Sequence, residues 1–448
     1  MREKRTVQSS IFEQYPDHEI GRDLQAMSEN LDAHPDWLDW VEEDVGDRNV
    51  EETGRKGLPV ESVLRCAVLK QYRQLSYSEL AFCLMDSTAC QAFARLPMGW
   101  FPKKTMLQST ISAITPGTWE RINRQLLLSA QTQGVEKGRM VRVDSTVCDS
   151  PIHAPSDSSL LWDGVRTLVG LLEQAQELAL AVKLPWHNHR RVAKKRARAI
   201  EYTRGVDKKA RLYADLLEIT RKTLGYVDGV DRALSSAGVP TLALLGWRGE
   251  VAHYRALILR VIDQTERRVF QGESVPAAEK IVSLFEEHTD IIVKGKREVQ
   301  YGHKLNLCTG KSGLVLDVVI EAGNPADTER FVPMLDRHIE LYGKPPRQMA
   351  ADGGYASKEN LTEAKDRGVK DVAFQKKRGL KVEAMAKSTW VYRKLRNFRA
   401  GIEAGISWLK RAYGLGRCTW KGIAHFKAYV WSAVVAHNLA LLGRLSTA

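Results

Sequence analysis

Three acidic residues could do chemistry together in this chain: Asp144, Asp352 and Glu403. Asp144 closes the run Val141-Arg142-Val143-Asp144. Asp352 closes Met349-Ala350-Ala351-Asp352 and leads into Gly353-Gly354. Glu403 stands between Arg399 and Lys410 in a helical stretch. At about 100° per residue, Arg399, Glu403 and Lys410 fall within roughly 40° of one another, beside an apolar stripe of Ile402, Ile406 and Leu409. Taken alone this reads first as a solvated, salt-bridged helix, whose i,i+4 pairs contribute only about 0.2–0.5 kcal/mol each. Together with the two aspartates it suggests more. Three converging carboxylates repel unless cations neutralise them. Hard oxygen donors suit Mg²⁺, with Mn²⁺ as substitute. Two such ions, about 3.5–4 Å apart, can clamp the attacking and leaving oxygens of an in-line displacement at phosphorus. Arg399 and Lys410 would then hold flanking phosphates.

The elements that must position these groups are legible in part. Residues 140–147 alternate and are rich in Val, which predicts a strand carrying Asp144 near its end. Residues 301–308 and 314–320 flank Thr309-Gly310-Lys311-Ser312-Gly313 and predict a hairpin. A helix capped by Asp327 or Thr328 follows to about residue 342. Then come a short strand at 348–352, a helix capped by Ser357, a short strand at 371–374, and the helix of Glu403. This order is that of an α/β ribonuclease-H-like catalytic core with a long helical insertion after the first strand, preceded by an all-α N-terminal domain. In such a core the first and fourth strands are adjacent and the last helix crosses the sheet. The expected division is 1–130 for a helical, DNA-binding N-terminal domain with an acidic arm, 131–156 and 291–448 for the core, and 157–290 for the basic insertion.

The chain has 448 residues and a formal charge of +13, which favours a polyanionic partner. Residues 10–53 run against that sign, with 14 Asp/Glu against Arg22 and Arg48. They read either as a solvated acidic segment or as a helical arm that packs on the chain or on a second subunit. From Pro59 short helices follow, with a capping box at Ser76-Tyr77-Ser78-Glu79, a helix from Lys103-Lys104-Thr105 to about residue 114, and another after Thr115-Pro116. They suit a helix-turn-helix DNA binder, with Lys103 and Lys104 as phosphate contacts, or an ordinary bundle. Residues 183–211 hold 11 Lys/Arg against Glu201 and Asp207. Arg191, Lys194, Lys195 and Arg198 in that run are expected to meet DNA backbone, the alternative being a solvated helix.

Other chemistries are disfavoured. The six cysteines show no Cys-x-x-Cys spacing and read as reduced thiols of a cytoplasmic protein. His187 and His189 lack a zinc-ligand partner at the usual spacing. There is no P-loop, no GxGxxG and no GxSxG. The start, residues 1–10, is polar and carries no signal peptide. The apolar stretch 425–442 contains Lys427, His437 and Asn438 and is expected to be a buried or docking helix, not a membrane span.

These residues resemble the DDE transposases of bacterial insertion sequences, in an ISNCY-like group with an InsH-like N-terminal domain. The resemblance rests on Asp144-Ser145-Thr146, on Ile152 through Leu161 with Asp163-Gly164-Val165-Arg166, and on Tyr301-Gly302-His303-Lys304. Ala351-Asp352-Gly353-Gly354-Tyr355 and the spacing Arg399-x3-Glu403-x6-Lys410 complete it. The signature often carries a Tyr three residues before the arginine; here that place is Arg396. The resemblance implies Asp144, Asp352 and Glu403 as catalytic metal ligands. It implies double-stranded DNA as substrate, both the element's terminal inverted repeats and the target. A homodimer in the DNA complex is expected, in a bacterial cytoplasm and at the nucleoid, with no membrane. Asp157 and Arg166 are expected to help position strands. A nuclease of the same fold without strand transfer, or a domesticated DNA-binding protein, are the alternatives.

Overall fold

A computed structural model describes residues 17–46, 57–96, 99–180, 183–236, 240–294 and 298–446. Of the acidic stretch, residues 10–16 and 47–53, with Phe12 and Tyr15, lie outside the described residues, as does the polar start at 1–10. In chain order the helices are α1 (Glu19–Asp32), α2 (Trp37–Val45), α3 (Val60–Tyr72), α4 (Tyr77–Asp86), α5 (Thr88–Ala94), α6 (Lys104–Ile111) and α7 (Pro116–Thr132). Strand β1 (Met140–Asp149) precedes α8 (Asp157–Leu178), α9 (Arg190–Tyr202), α10 (Val206–Ser236) and α11 (Thr241–Val269). Then come β2 (Asp290–Lys294), β3 (Glu298–Gly310), β4 (Val315–Ile320), α12 (Phe331–Tyr342), β5 (Gln348–Ala351), α13 (Lys358–Asp366) and β6 (Asp371–Phe374). Helices α14 (Val382–Met385), α15 (Thr389–Ala412) and α16 (Ile423–Ser446) end the chain.

The chain forms two compact units, one of residues Met1–Pro151 with Gly302–Ala448 and the other Ile152–Tyr301. The predicted insertion, 157–290, falls inside the second. The N-terminal helices form no unit of their own: they share one apolar core with the sheet. The cause is α16. From Ala428 to Ala440 it is buried on all sides, which demands cover all round, and α1, α3, α7 and β4 pack against it. Asn438 in α16 is fully buried and cross-links this core. Its Oδ1 accepts from Val315 N at 2.9 Å, and its Nδ2 donates to Asn123 Oδ1 at 2.7 Å. Arg444 donates to Asp23, tying α16 to the acidic helix α1. Buried Arg65 bridges α3 to Asp32 at 2.7 Å. The described part of the acidic stretch is therefore helical and packs on its own chain.

The sheet of the first unit runs β4-β3-β1-β5-β6. β1 is antiparallel to β3 and parallel to β5, and β5 is parallel to β6. This mixed order is consistent with a ribonuclease-H-like core. α15 lies across β1, β5 and β6. Arg142 of β1 pins it there, donating to Phe398 O at 2.7 Å and to Thr309 Oγ1 at 2.9 Å. The second unit is a helical bundle in which α8 packs on α9, α10 and α11 around its own apolar core. Strand β2, which the sequence did not suggest, neighbours β3.

Candidate active site

Strand register brings two of the three acids together. The last paired row across the parallel strands is Val143, Ala351 and Phe374. The next residue on each is Asp144, Asp352 and Gln375, so these three stand in one row, just past the carboxyl ends of β5 and β6 and midway along β1, which runs on beside β3 to Asp149. The chain turns away at once through Gly353-Gly354. A Cβ on Gly353 would stand 2.8 Å from Lys376 Cβ, and one on Gly354 would stand 2.5 Å from Asp327 Oδ2. Glycine lets the turn close there and leaves the Asp352 side chain facing the sheet end.

The third acid arrives on α15, and Arg399 of the same helix joins the set. Its Nη2 donates to Asp144 Oδ2 at 2.7 Å and lies 3.3 Å from Asp352 Oδ1. Its Nη1 donates to Glu403 Oε1 at 2.6 Å and to Gln375 Oε1 at 2.7 Å. The guanidinium thus sits at the centre of all three carboxylates. Its side chain is 5% exposed, against 13% for Asp144, 37% for Asp352 and 64% for Glu403. The Arg399 Nε is buried and donates to nothing among the described residues. The site is graded, from a largely covered floor at Asp144 to an open rim at Glu403.

Its donors suit a hard divalent cation. Asp144 and Asp352 point oxygens at one positively charged nitrogen, and every acidic donor is a carboxylate oxygen. As placed, no three His, Cys, Asp or Glu among the described residues stand close enough to hold a metal ion. The guanidinium fills the space between them.

Beneath the site, Asn306 of β3 donates to Glu321 Oε1 at 2.7 Å and accepts from Tyr355 Oη at 2.6 Å. Burial, then Asp327 and Asp144, push the Tyr355 phenol well above its ordinary value. Lys304 of β3 is itself buried and pairs with Asp327 at 2.6 Å.

Lys410 lies further along α15, where it and Arg417 face Asp149 at the end of β1. Burial raises the Asp149 carboxyl while those two cations oppose the rise. The structure brings Asp144, Asp352, Glu403 and Arg399 together and puts Lys410 beside this separate acid. Arg396 lies over the Tyr392 ring, at 6.0 Å. Gln375 was missed in the sequence; its signal is its place directly after the third parallel strand.

The other predicted contacts are apart from this cluster. Lys103 and Lys104 are exposed at the start of α6, which ends at Ile111 rather than near 114. In the second unit α9 buries Ala193, Ala197 and Ile200 and exposes Arg191, Lys194, Lys195 and Arg198. Its remaining cations are paired, Arg190 with Glu173 and Arg196 with Asp215. Arg166 donates to Asp163 at 2.8 Å and lies over Phe285. Asp157 pairs instead with Arg268 at 2.7 Å and accepts from Gln264. No helix among the described residues is long and apolar enough to cross a membrane.

Residues 258–439 match the family model described as Transposase DDE domain. At the level of that family the domain implies DNA cleavage and strand transfer, generally with divalent metals. The match contains Asp352, Arg399, Glu403 and Lys410; Asp144 lies before it. No curated protein and no solved structure matches the chain.

Proposed function

We propose that this chain is the DNA transposase of a bacterial insertion sequence of ISNCY-like type. It cuts the element's ends and joins their 3′-hydroxyls to target DNA. The observation that carries this is the meeting of Asp144, Asp352 and Glu403 on one guanidinium. The DDE-domain match over the segment with Asp352 and Glu403 supports it.

Asp144, Asp352 and Glu403 would hold divalent cations, Mg²⁺ or Mn²⁺. Bound there, such ions lower the pKa of an attacking water or 3′-hydroxyl and neutralise charge on the leaving 3′-oxygen. The protein's own groups orient the partners. The buried guanidinium of Arg399 holds Asp144 in place, while the open rim at Glu403 admits a strand. Arg399 keeps the acids together before substrate arrives and then offers its guanidinium to a phosphate. Lys410 and Arg417 engage flanking backbone, the exposed face of α9 binds DNA backbone within its own unit, and a homodimer would hold the two element ends.

The test is strand transfer. Purified protein, Mg²⁺ and a short duplex carrying the element's end with a free 3′-hydroxyl are incubated with supercoiled plasmid. Covalent joining of that oligonucleotide to plasmid is expected. Cutting without joining would make the chain a nuclease of the same chemistry, and neither reaction would defeat the proposal.

A further inference from the structure

The register that lines up the acids at one end of the sheet lines up cations at the other. The first paired row of the parallel strands is Met140, Gln348 and Asp371. The residue before each is Arg139, Arg347 and Lys370. Backbone bonds continue across this row: Gln348 N donates to Arg139 O at 3.0 Å, and Lys370 N donates to Arg347 O at 3.0 Å. With neighbouring strands about 4.8 Å apart, the three cations span about 10 Å.

All three side chains are exposed. With Lys137 and Lys344, also exposed, they line an open cavity of about 500 Å³. Beside it a second cavity, of about 700 Å³, shares Lys137, Arg139 and Arg347 and adds exposed Lys311. Two acids in the same segments are buried and held by the protein's own donors, Glu136 at the wall of the second cavity. Glu136 is buried and accepts from Gly138 N, Ser312 N and Ser312 Oγ. Asp371 is buried and accepts from Gln348 Nε2 and Lys387 N. Packing does not need exposed cations at this edge, and like charges this close repel.

We propose that this amino-terminal edge of the sheet is a binding surface for the phosphate backbone of duplex DNA, separate from the strand at the carboxylates. Duplex DNA as the polyanion rests on the function proposed above; the cationic row does not. A row of about 10 Å matches the axial rise of about three phosphate-to-phosphate steps on one strand. Arg347 and Asp352 are five residues apart along an extended segment, roughly 17 Å. The phosphates held here are therefore not those being cut. The edge holds a second stretch of duplex, by charge and without reading bases.

The experiment uses the full-length chain carrying Arg139→Gln, Arg347→Gln and Lys370→Gln together. A 30-base-pair duplex of arbitrary sequence is the probe, followed by fluorescence anisotropy from 50 to 300 mM NaCl. All three side chains are exposed, so the melting temperature should hold and is measured alongside. The expected result is a loss of affinity on the order of 10-fold or more at 150 mM NaCl. The slope of log K against log salt should flatten by up to about 2.7, or about 0.9 per lost contact. Unchanged affinity and slope in a folded variant would overturn the proposal. A loss of inorganic phosphate binding without loss of duplex binding would also overturn it, making the edge a small-anion site. The outcomes also separate from the catalytic reading. If the triple variant binds like wild type and wild type joins DNA ends, this inference alone fails. If the triple variant loses duplex affinity and wild type neither cuts nor joins, the catalytic reading alone fails.

Discussion

Arg399→Gln removes a cation that the three carboxylates share. The four partners of Arg399 set the magnitude. Its contact to Glu403 is the weakest in effect, because Glu403 is 64% exposed and exposed pairs contribute about 0–1 kcal/mol. Asp352, 37% exposed, is partly screened. Asp144, 13% exposed, is the least exposed of the three and the least screened, and it loses its hydrogen bond from the buried guanidinium. Breaking one side of a buried pair costs about 3–5 kcal/mol, and the low end applies here because the site opens at its rim. The variant should therefore lose about 3 kcal/mol in EDTA. Mg²⁺ at about 100 times its Kd should return about 2.7 kcal/mol to it. Wild type should gain less, since an ion must first displace the guanidinium. Arg399→Lys should recover only part of the loss, because one ammonium cannot span acceptors that a planar fork reaches at once. Urea unfolding of the full chain with and without Mg²⁺ measures all of this. Equal stability of wild type and Arg399→Gln in EDTA, or an equal Mg²⁺ gain in both, would refute the reasoning.

Three further outcomes are expected. Gly401→Ala would set a Cβ 2.3 Å from Arg142 Nη1, which is already committed to Phe398 O. It should cost about 1–3 kcal/mol as overpacking and reduce DNA cleavage by shifting Glu403, read by thermal melts and a cleavage assay. His338 and His437 are buried and their pKa values are pushed down to about 4 by burial. The unfolded chain, with histidine near 6.5, binds protons there that the folded chain refuses, so their stabilisation is full above about pH 6.5 and is lost as pH falls toward 4. Each should contribute up to about 1.4 kcal/mol per pH unit in that window, and His338→Gln should flatten the dependence of the urea midpoint on pH. Changing Arg191, Lys194, Lys195 and Arg198 to Ala should weaken binding to all duplexes alike and flatten the salt slope by up to about 0.9 per lost contact, checked by salt titration of anisotropy.

Much of the core was legible because its signals are local. The alternation before Asp144, the short run before Asp352 and the glycine turn between two strands mark β1, β5 and the hairpin. Ser76 with Glu79, Thr115 before Pro116, and Ser357 start helices where their side chains accept orphan amides. Less legible were features set by distant partners. α5 is seven residues long, too short to show a period. The N-terminal helices read as a separate domain, because nothing local says that they cover α16. Arg399 is the instructive case. Its helical spacing put it on a phosphate-facing side with Lys410, whereas in the structure its guanidinium lies among Asp144, Asp352 and Glu403. Helical phase places a side chain on a face and does not say what meets that face. The cationic row at Arg139, Arg347 and Lys370 needed strand register, although each residue directly precedes a predicted strand.

The most direct measurement concerns the three acids themselves. Wild type, Asp144→Asn, Asp352→Asn and Glu403→Gln are each given a labelled duplex of the element's end, in Mg²⁺ and in Mn²⁺, with binding and single-turnover cleavage measured on the same samples. Each change removes a ligand charge with little change of shape. Wild type should cut in either metal, and all three variants should bind the duplex as wild type does and fail to cut it. Mg²⁺-dependent cleavage at the wild-type rate by any of the three would contradict the assignment.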